Sequence, residues 1–179
     1  MIFKKTKIDG VIIAEPEAKV DERGYFEVIY GHDKFREQNI DLKIVQVNRS
    51  LSLRKGTIRG VHMQLPPVSE DKFVQCIKGS VFDVAVDLRK DSKTFGKWVG
   101  NILSAKNKEM MLIPKEFGHG IQALEDNSII EYSVSEYYSP EHILGIRWDD
   151  PFFKIKWPII KNVVLSEADK SWPLFSDEK

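Results

Sequence analysis

The strongest constraint on this chain is a period of two. Between residues 10 and 137, short alternating segments rich in Val, Ile, Phe and Tyr are each closed by Gly, Pro, Asn or Asp, with no long amphipathic helical stretch between them. Residues 10–14 read as a strand stopped by Pro16, and residues 25–30 as another, entered through the Asp21-Glu22-Arg23-Gly24 turn. Residues 33–38 have room for a helical turn or two, with Asp33 near the N-cap. Residues 43–51 alternate, Val45 and Val47 on one face, Gln46 and Asn48 on the other. Residues 73–77 and 80–88, joined by Lys78-Gly79, have the composition of a hairpin. Segments 95–103, 110–114, 121–124 and 129–137 complete the series. From Tyr138 the texture becomes irregular, rich in Pro and Trp, with only short helical pieces expected. The pattern predicts an all-β antiparallel sandwich or barrel, for which a double-stranded β-helix, or jelly roll, fits the length.

The 179 residues are enough for one domain, 1–179, and 42% hydrophobic residues supply its core. Lys plus Arg number 27 and Asp plus Glu also 27, so no global field exists to hold a polyanion, and nucleic acid is not an expected partner. Local clusters of Arg and Lys still suit a small anionic ligand. The one cysteine, Cys76, has no intrachain partner, which fits a reducing compartment. The charged start MIFKKTKID is unlike a signal peptide, and no apolar run reaches the length of a membrane span. A cytoplasmic protein without membrane attachment is the expectation.

Chemistry concentrates in residues 56–72, GTIRGVHMQLPPVSEDK, where strand-like flanks of a diproline turn carry Arg59, His62 and Lys72. A neutral imidazole beside fixed cations suits removal of a proton from carbon and stabilisation of the resulting anion. A lone strand histidine is more often structural, and other chemistries must be weighed against this one. Metal-binding jelly rolls of the cupin type use two histidines one residue apart, a nearby carboxylate and a distant histidine. Here Gln64 stands at the second histidine position, which leaves His62, Glu70 and a distant His119 as a poor ligand set, and no metal is expected. Neither a nucleophile elbow nor a phosphate-binding glycine loop is present. Acid–base chemistry on carbon remains, with no cofactor expected.

RGVHMQLPP, DKFV, FDVAVDLRKDSKTFGKW, IPKEFGHG, EYYSPE, GIRWDDP and SEADKSWP, in this order from about residue 21 to 169, together resemble the dTDP-4-dehydrorhamnose 3,5-epimerases. The resemblance implies a cupin-like jelly-roll homodimer, independent of metal, that inverts ring carbons beside the ketone of a nucleotide-linked 4-keto-6-deoxyhexose. It makes His62 the general base, Asp169 its carboxylate partner, Tyr132 the acid on the opposite face of the sugar, and Lys72 the cation at the C4 oxygen. Arg23, Arg59 and His119 match positions that hold the diphosphate and sugar, and Gln46 and Asn48 match amides on the cavity face. The segment around Arg23 and Phe26 is implied to reach the neighbouring subunit's site. Asp83 and Asp87 are expected to be structural.

The chain departs from the family pattern in places that concern binding. Val28 stands where a glutamate is usual, with Glu27 one residue earlier and therefore on the other strand face. Met63 replaces the tyrosine of HYQ, Ile143 a glutamate near the base, and Ala168 a lysine, for which Lys170 or Lys161 are possible substitutes. These departures leave a CDP- or GDP-linked sugar, or inversion at a single centre, as alternatives. A sugar-binding or metal-dependent jelly roll is the alternative from another class.

Overall fold

The structure, a computed structural model describing residues 1–175, is built from two antiparallel sheets. The strands are β1 (Ile2–Lys5), β2 (Ile12–Glu15), β3 (Lys19–Asp21), β4 (Gly24–Phe26), β5 (Gln46–Ser52), β6 (Ile58–Gln64), β7 (Lys72–Lys78), β8 (Ser80–Asp87), β9 (Trp98–Ser104), β10 (Met110–Ile113), β11 (Phe117–Ala123), β12 (Ser128–Val134) and β13 (Ile143–Gly145). Two five-residue helices, α1 (His32–Arg36) and α2 (Glu167–Ser171), interrupt them. One sheet runs β1-β2-β10-β7-β12-β5, the other β13-β6-β11-β8-β9, and β3 pairs only with β4. This is the jelly roll that the alternating pattern predicted.

Inward-facing apolar residues of both sheets meet in the main core. Val74, Cys76, Met111 and Ile130 come from the first sheet, and Val81, Ala85, Phe117 and Ile121 from the second. The opposite face of β8, Phe82, Val84 and Val86, is also buried, because the C-terminal segment lays Ile146, Phe153 and Trp157 over it. Gln122 fastens that segment, its amide donating to the Ile159 carbonyl at 2.7 Å and accepting from the Ile159 N–H at 2.9 Å. On the first sheet, α1 buries Phe35 against Phe73, Met110 and Leu112.

The expected hairpin at Lys78-Gly79 does not form. β7 and β8 belong to different sheets, and the turn carries the chain from one to the other. Gly79, at φ +72°, is tight enough that a Cβ would fall 2.7 Å from Ser128 Oγ. A turn signal cannot distinguish a hairpin from a sheet-switching corner, since both need a left-handed residue between two apolar runs. The predicted strand 25–30 ends at Phe26, whereas α1 forms where a helical turn was expected, with Gly31 as its N-cap and Asp33 in its first turn. β11 begins four residues before the predicted Ile121, so Gly118-His119-Gly120 lies within a strand. Strands β1, β3 and β13 were not legible as alternating segments.

Candidate active site

At one end of the space between the sheets, polar residues replace the apolar core and line a cleft of about 470 Å³. Eight residues singled out from the sequence meet there: Gln46, Asn48, Arg59, His62, Lys72, His119, Tyr132 and Asp169. His62 comes from β6 in one sheet, while Lys72 on β7 and Tyr132 on β12 come from the other. The cleft therefore has a histidine wall and a tyrosine–lysine wall.

The histidine wall depends on close strand contact. His62 and His119 are register partners on β6 and β11, and the register slips between His119 and Gly120. Such a bulge re-aims side chains locally. Gly60, at φ +93°, lies so near β11 that a Cβ would sit 2.4 Å from the His119 carbonyl oxygen and 3.2 Å from His62 Nδ1. Only glycine fits there. With Nδ1 turned to Gly60, Nε2 is the nitrogen left for the cleft. Burial, and then the charges of Lys72 and His119, push the His62 imidazole down to about 3, so at neutral pH it is uncharged and able to accept a proton. Behind it, the buried His119 places Nε2 3.2 Å from Asp83 Oδ2.

On the facing wall, Tyr132 lies opposite Val74 and Val134 lies opposite Lys72, so the phenol and the ammonium are diagonal neighbours on one face. Burial, reinforced by the nearby Glu70 charge and opposed by Arg59, raises the Tyr132 phenol above its ordinary value and keeps its proton in place. The Lys72 ammonium lies 2.7 Å from Glu70 Oε1, with the two side chains only 6% and 10% exposed. Along β5, Gln46 Nε2 donates to Asn48 Oδ1 at 2.6 Å. Arg59 rests its guanidinium on that strand, donating to the Leu51 carbonyl at 2.9 Å.

Asp169 sits in the first turn of α2, where its backbone N–H donates to the Ser166 cap. Its carboxylate accepts from Ser166 Oγ at 2.7 Å and from the Gly60 N–H at 3.2 Å. The imidazole partnership expected from the resemblance is not formed here; the carboxylate and His62 Nδ1 instead lie against the same glycine. Arg23 and Phe26 are not part of this cleft. Arg23 is clasped by Asp21 at 2.6 Å on an exposed turn, and Phe26 is 66% exposed on β4. Glu27, shifted by one residue from the family position, is bound by Lys108 at 2.8 Å, with that ammonium 3.3 Å from the Tyr25 ring centre. Lys170 pairs with Glu167 at 2.6 Å on the exposed side of α2. Ile143 lines the cleft, and Asp87 is held inside the fold by Arg89, Ser92 and Thr94.

The sequence reading missed Ser50, Tyr138 and the pairing of Glu70 with Lys72. Ser50 continues the two-residue period of Gln46 and Asn48, so a signal for it existed. Tyr138 lies where the periodicity has ended, and its only signal was its place in the EYYSPE motif.

The profile of the dTDP-4-dehydrorhamnose 3,5-epimerase family matches residues 5–177. An enzyme of that name from Methanothermobacter thermautotrophicus is 45% identical over 172 residues, covering 95% of this chain and 92% of its own. The crystal structure of the Elizabethkingia anophelis enzyme superposes with a TM-score of 0.95 at 38% identity, covering 99% and 98% of the two chains. A Legionella pneumophila dTDP-6-deoxy-D-glucose-3,5-epimerase, solved with dTDP-4-keto-L-rhamnose, gives 0.91 at 40% identity, covering 97% and 92%. Among the described residues no helix is long and apolar enough to cross a membrane. By its sequence and its jelly-roll architecture, this chain belongs to the dTDP-4-dehydrorhamnose 3,5-epimerase family of isomerases.

Proposed function

We propose that the cleft inverts C3 and C5 of dTDP-4-keto-6-deoxyglucose through enolate intermediates. The observation that carries this reading is the placement of an uncharged His62 and a protonated Tyr132 on opposite sheets. Inversion requires a proton to leave one face of the ring and another to arrive on the opposite face, which two groups on facing walls can do and one cannot. His62 Nε2 takes the proton from the carbon beside the ketone, and the C–H electron pair moves into the ring as the C4 oxygen becomes negative. The Lys72 ammonium is nearest to that charge, and its interaction is stronger with the enolate than with the ketone. Tyr132 then gives its proton to the carbon from the other side. Solvent reprotonates the tyrosinate and accepts the proton from the imidazolium, so deuterium from heavy water enters the product.

Asp169 has the role of supporting the imidazolium, its carboxylate lying against the same glycine that His62 Nδ1 approaches. Arg59, His119, Gln46 and Asn48 hold the sugar and diphosphate. The active species is a cytoplasmic homodimer. In support of self-association, the outward face of β5 exposes Val45, Val47 and Leu51, and the β3–β4 ribbon exposes Val20, Tyr25 and Phe26. In the dimer, Arg23 and Phe26 enter the cleft of the partner.

The test is proton exchange followed by NMR in heavy water, with C3–H and C5–H read separately on dTDP- and CDP-linked 4-keto-6-deoxyglucose. Exchange at both carbons of the dTDP sugar, with an L-configured product, is the expected result. Exchange at one carbon limits the enzyme to a single centre, a preference for CDP overturns the nucleotide assignment, and no exchange overturns the substrate.

A further inference from the structure

Glu70 has no part in the chemistry as derived above, yet it is placed where that chemistry is most sensitive to charge. It lies in the loop that enters β7, two residues before Lys72, and its Oε1 is 2.7 Å from the Lys72 ammonium. Both side chains are at least nine-tenths buried and both residues line the cleft. A carboxylate is costly to bury without a partner, and so is an ammonium; this pair offsets the cost for both. The neighbouring residue cannot substitute, because the Asp71 carboxylate is occupied by the Lys115 N–H and the Ser135 hydroxyl.

We propose that Glu70 is a positioning residue that fixes the Lys72 ammonium at the enolate oxygen and sets a negative charge beside the Tyr132 phenol. The inference rests on the acid and cation roles assigned above. Its basis is the arrangement of charge around the pair. From β6 the pair is faced by His62 and Arg59, from β11 by His119 with Asp83 behind it, from β12 by Tyr132, and from the C-terminal segment by Asp169. Asp83 is matched to His119 and Asp169 to Ser166 and Gly60, so Glu70 is the carboxylate directed at the lysine wall. Its charge opposes loss of the Tyr132 proton and, after burial, contributes to holding that phenol above its ordinary value.

The experiment compares wild type, Glu70→Gln and Glu70→Asp in two measurements. The first is the pH profile of kcat and kcat/KM for dTDP-4-keto-6-deoxyglucose. A neighbouring negative charge disfavours the tyrosinate, so the alkaline limb of Glu70→Gln is expected to move to lower pH. KM at neutral pH should stay within about threefold, because the diphosphate is held elsewhere, and Glu70→Asp should restore most of the wild-type limb. A limb that coincides with wild type, with kcat lowered evenly at all pH values, would leave Glu70 with a packing role and overturn the proposal. The second measurement needs no substrate: tyrosinate absorbance during alkaline titration, with and without Tyr132→Phe to isolate the one phenol. Glu70→Gln should ionise Tyr132 at lower pH, and an unmoved titration refutes the inference even if the substrate assignment fails. Inactivity of the wild type on the dTDP sugar, by contrast, counts against the functional reading alone.

Discussion

The uncharged state of His62 has a consequence for folding that can be measured without substrate. An unfolded histidine titrates near 6.5, whereas burial and the Lys72 and His119 charges hold this one down to about 3. Below 6.5 the unfolded chain binds a proton that the folded chain refuses, so stability is fully present above 6.5 and declines as pH falls towards 3. At about 1.36 kcal/mol per pH unit, the whole interval amounts to about 5 kcal/mol, and descent from pH 7.5 to 4.5 costs about 3 kcal/mol through this one side chain. His62→Gln removes the titration and leaves the carboxylates that also contribute. Urea unfolding of both proteins at pH 7.5 and 4.5, at one protein concentration, gives the double difference. Wild type should lose about 3 kcal/mol more than the variant between the two pH values. Parallel losses would mean that His62 titrates normally, and the account of a desolvated base would fail. The same depression predicts that the acid limb of kcat/KM lies well below the ordinary histidine range.

Tyr132→Phe deletes only a hydroxyl, so the fold should survive while inversion falls by about 10²–10⁴-fold and exchange at the His62 face continues. Full epimerase activity in this variant would remove Tyr132 from the acid role. Asp169→Asn keeps an acceptor for Gly60 and Ser166 but loses the charge; proton exchange should slow with KM little changed, and an unaltered kcat would reduce the residue to a helix-cap partner. Gly60→Ala demands a left-handed alanine with its Cβ against the His119 carbonyl, a strain of about 1–3 kcal/mol or more, read as a lowered Tm together with lost activity. A wild-type Tm would contradict the contact. Val47→Asp, on the outer face of β5, should shift sedimentation towards monomer, and an undisturbed dimer would place the interface elsewhere.

How much of this was legible in the sequence follows from which interactions are local. Residues 80–88 were legible as a strand, and its period of two puts Phe82, Val84 and Val86 on one buried face of β8, because that period is set within the strand. The destination of the strand after Gly79 is set by sheet pairing far along the chain, and the local turn chemistry gave the wrong one. Site residues show the same division. Gln46 and Asn48 were visible as a polar face, while the Glu70–Lys72 pair was not, since spacing by two across a loop does not specify where a carboxylate turns. Asp169 was placed in the cleft by resemblance alone. Its meeting with Gly60, 109 residues away, depends on how the C-terminal segment folds back and left no local signal.

β5 carries cleft-lining residues on one face and exposed apolar residues on the other. In an ordinary sandwich the apolar face of a strand turns inward and the polar face meets water. Here Gln46, Asn48 and Ser50 turn inward, and Val45, Val47 and Leu51 turn out. The inversion is physically possible because β5 borders the cleft rather than the packed core: its interior amides face a space that a sugar and water can fill, so they do not strand unsatisfied groups among apolar side chains. The outward valines then stand on an edge strand beside unpaired backbone groups, a surface that favours pairing with another chain. In the proposed homodimer this strand would line a polar cavity on one side and meet the partner on the other, which would tie formation of the dimer to the shape of the cleft. Loss of the outer contact would therefore loosen the wall on which Arg59 rests and from which the two amides reach the substrate.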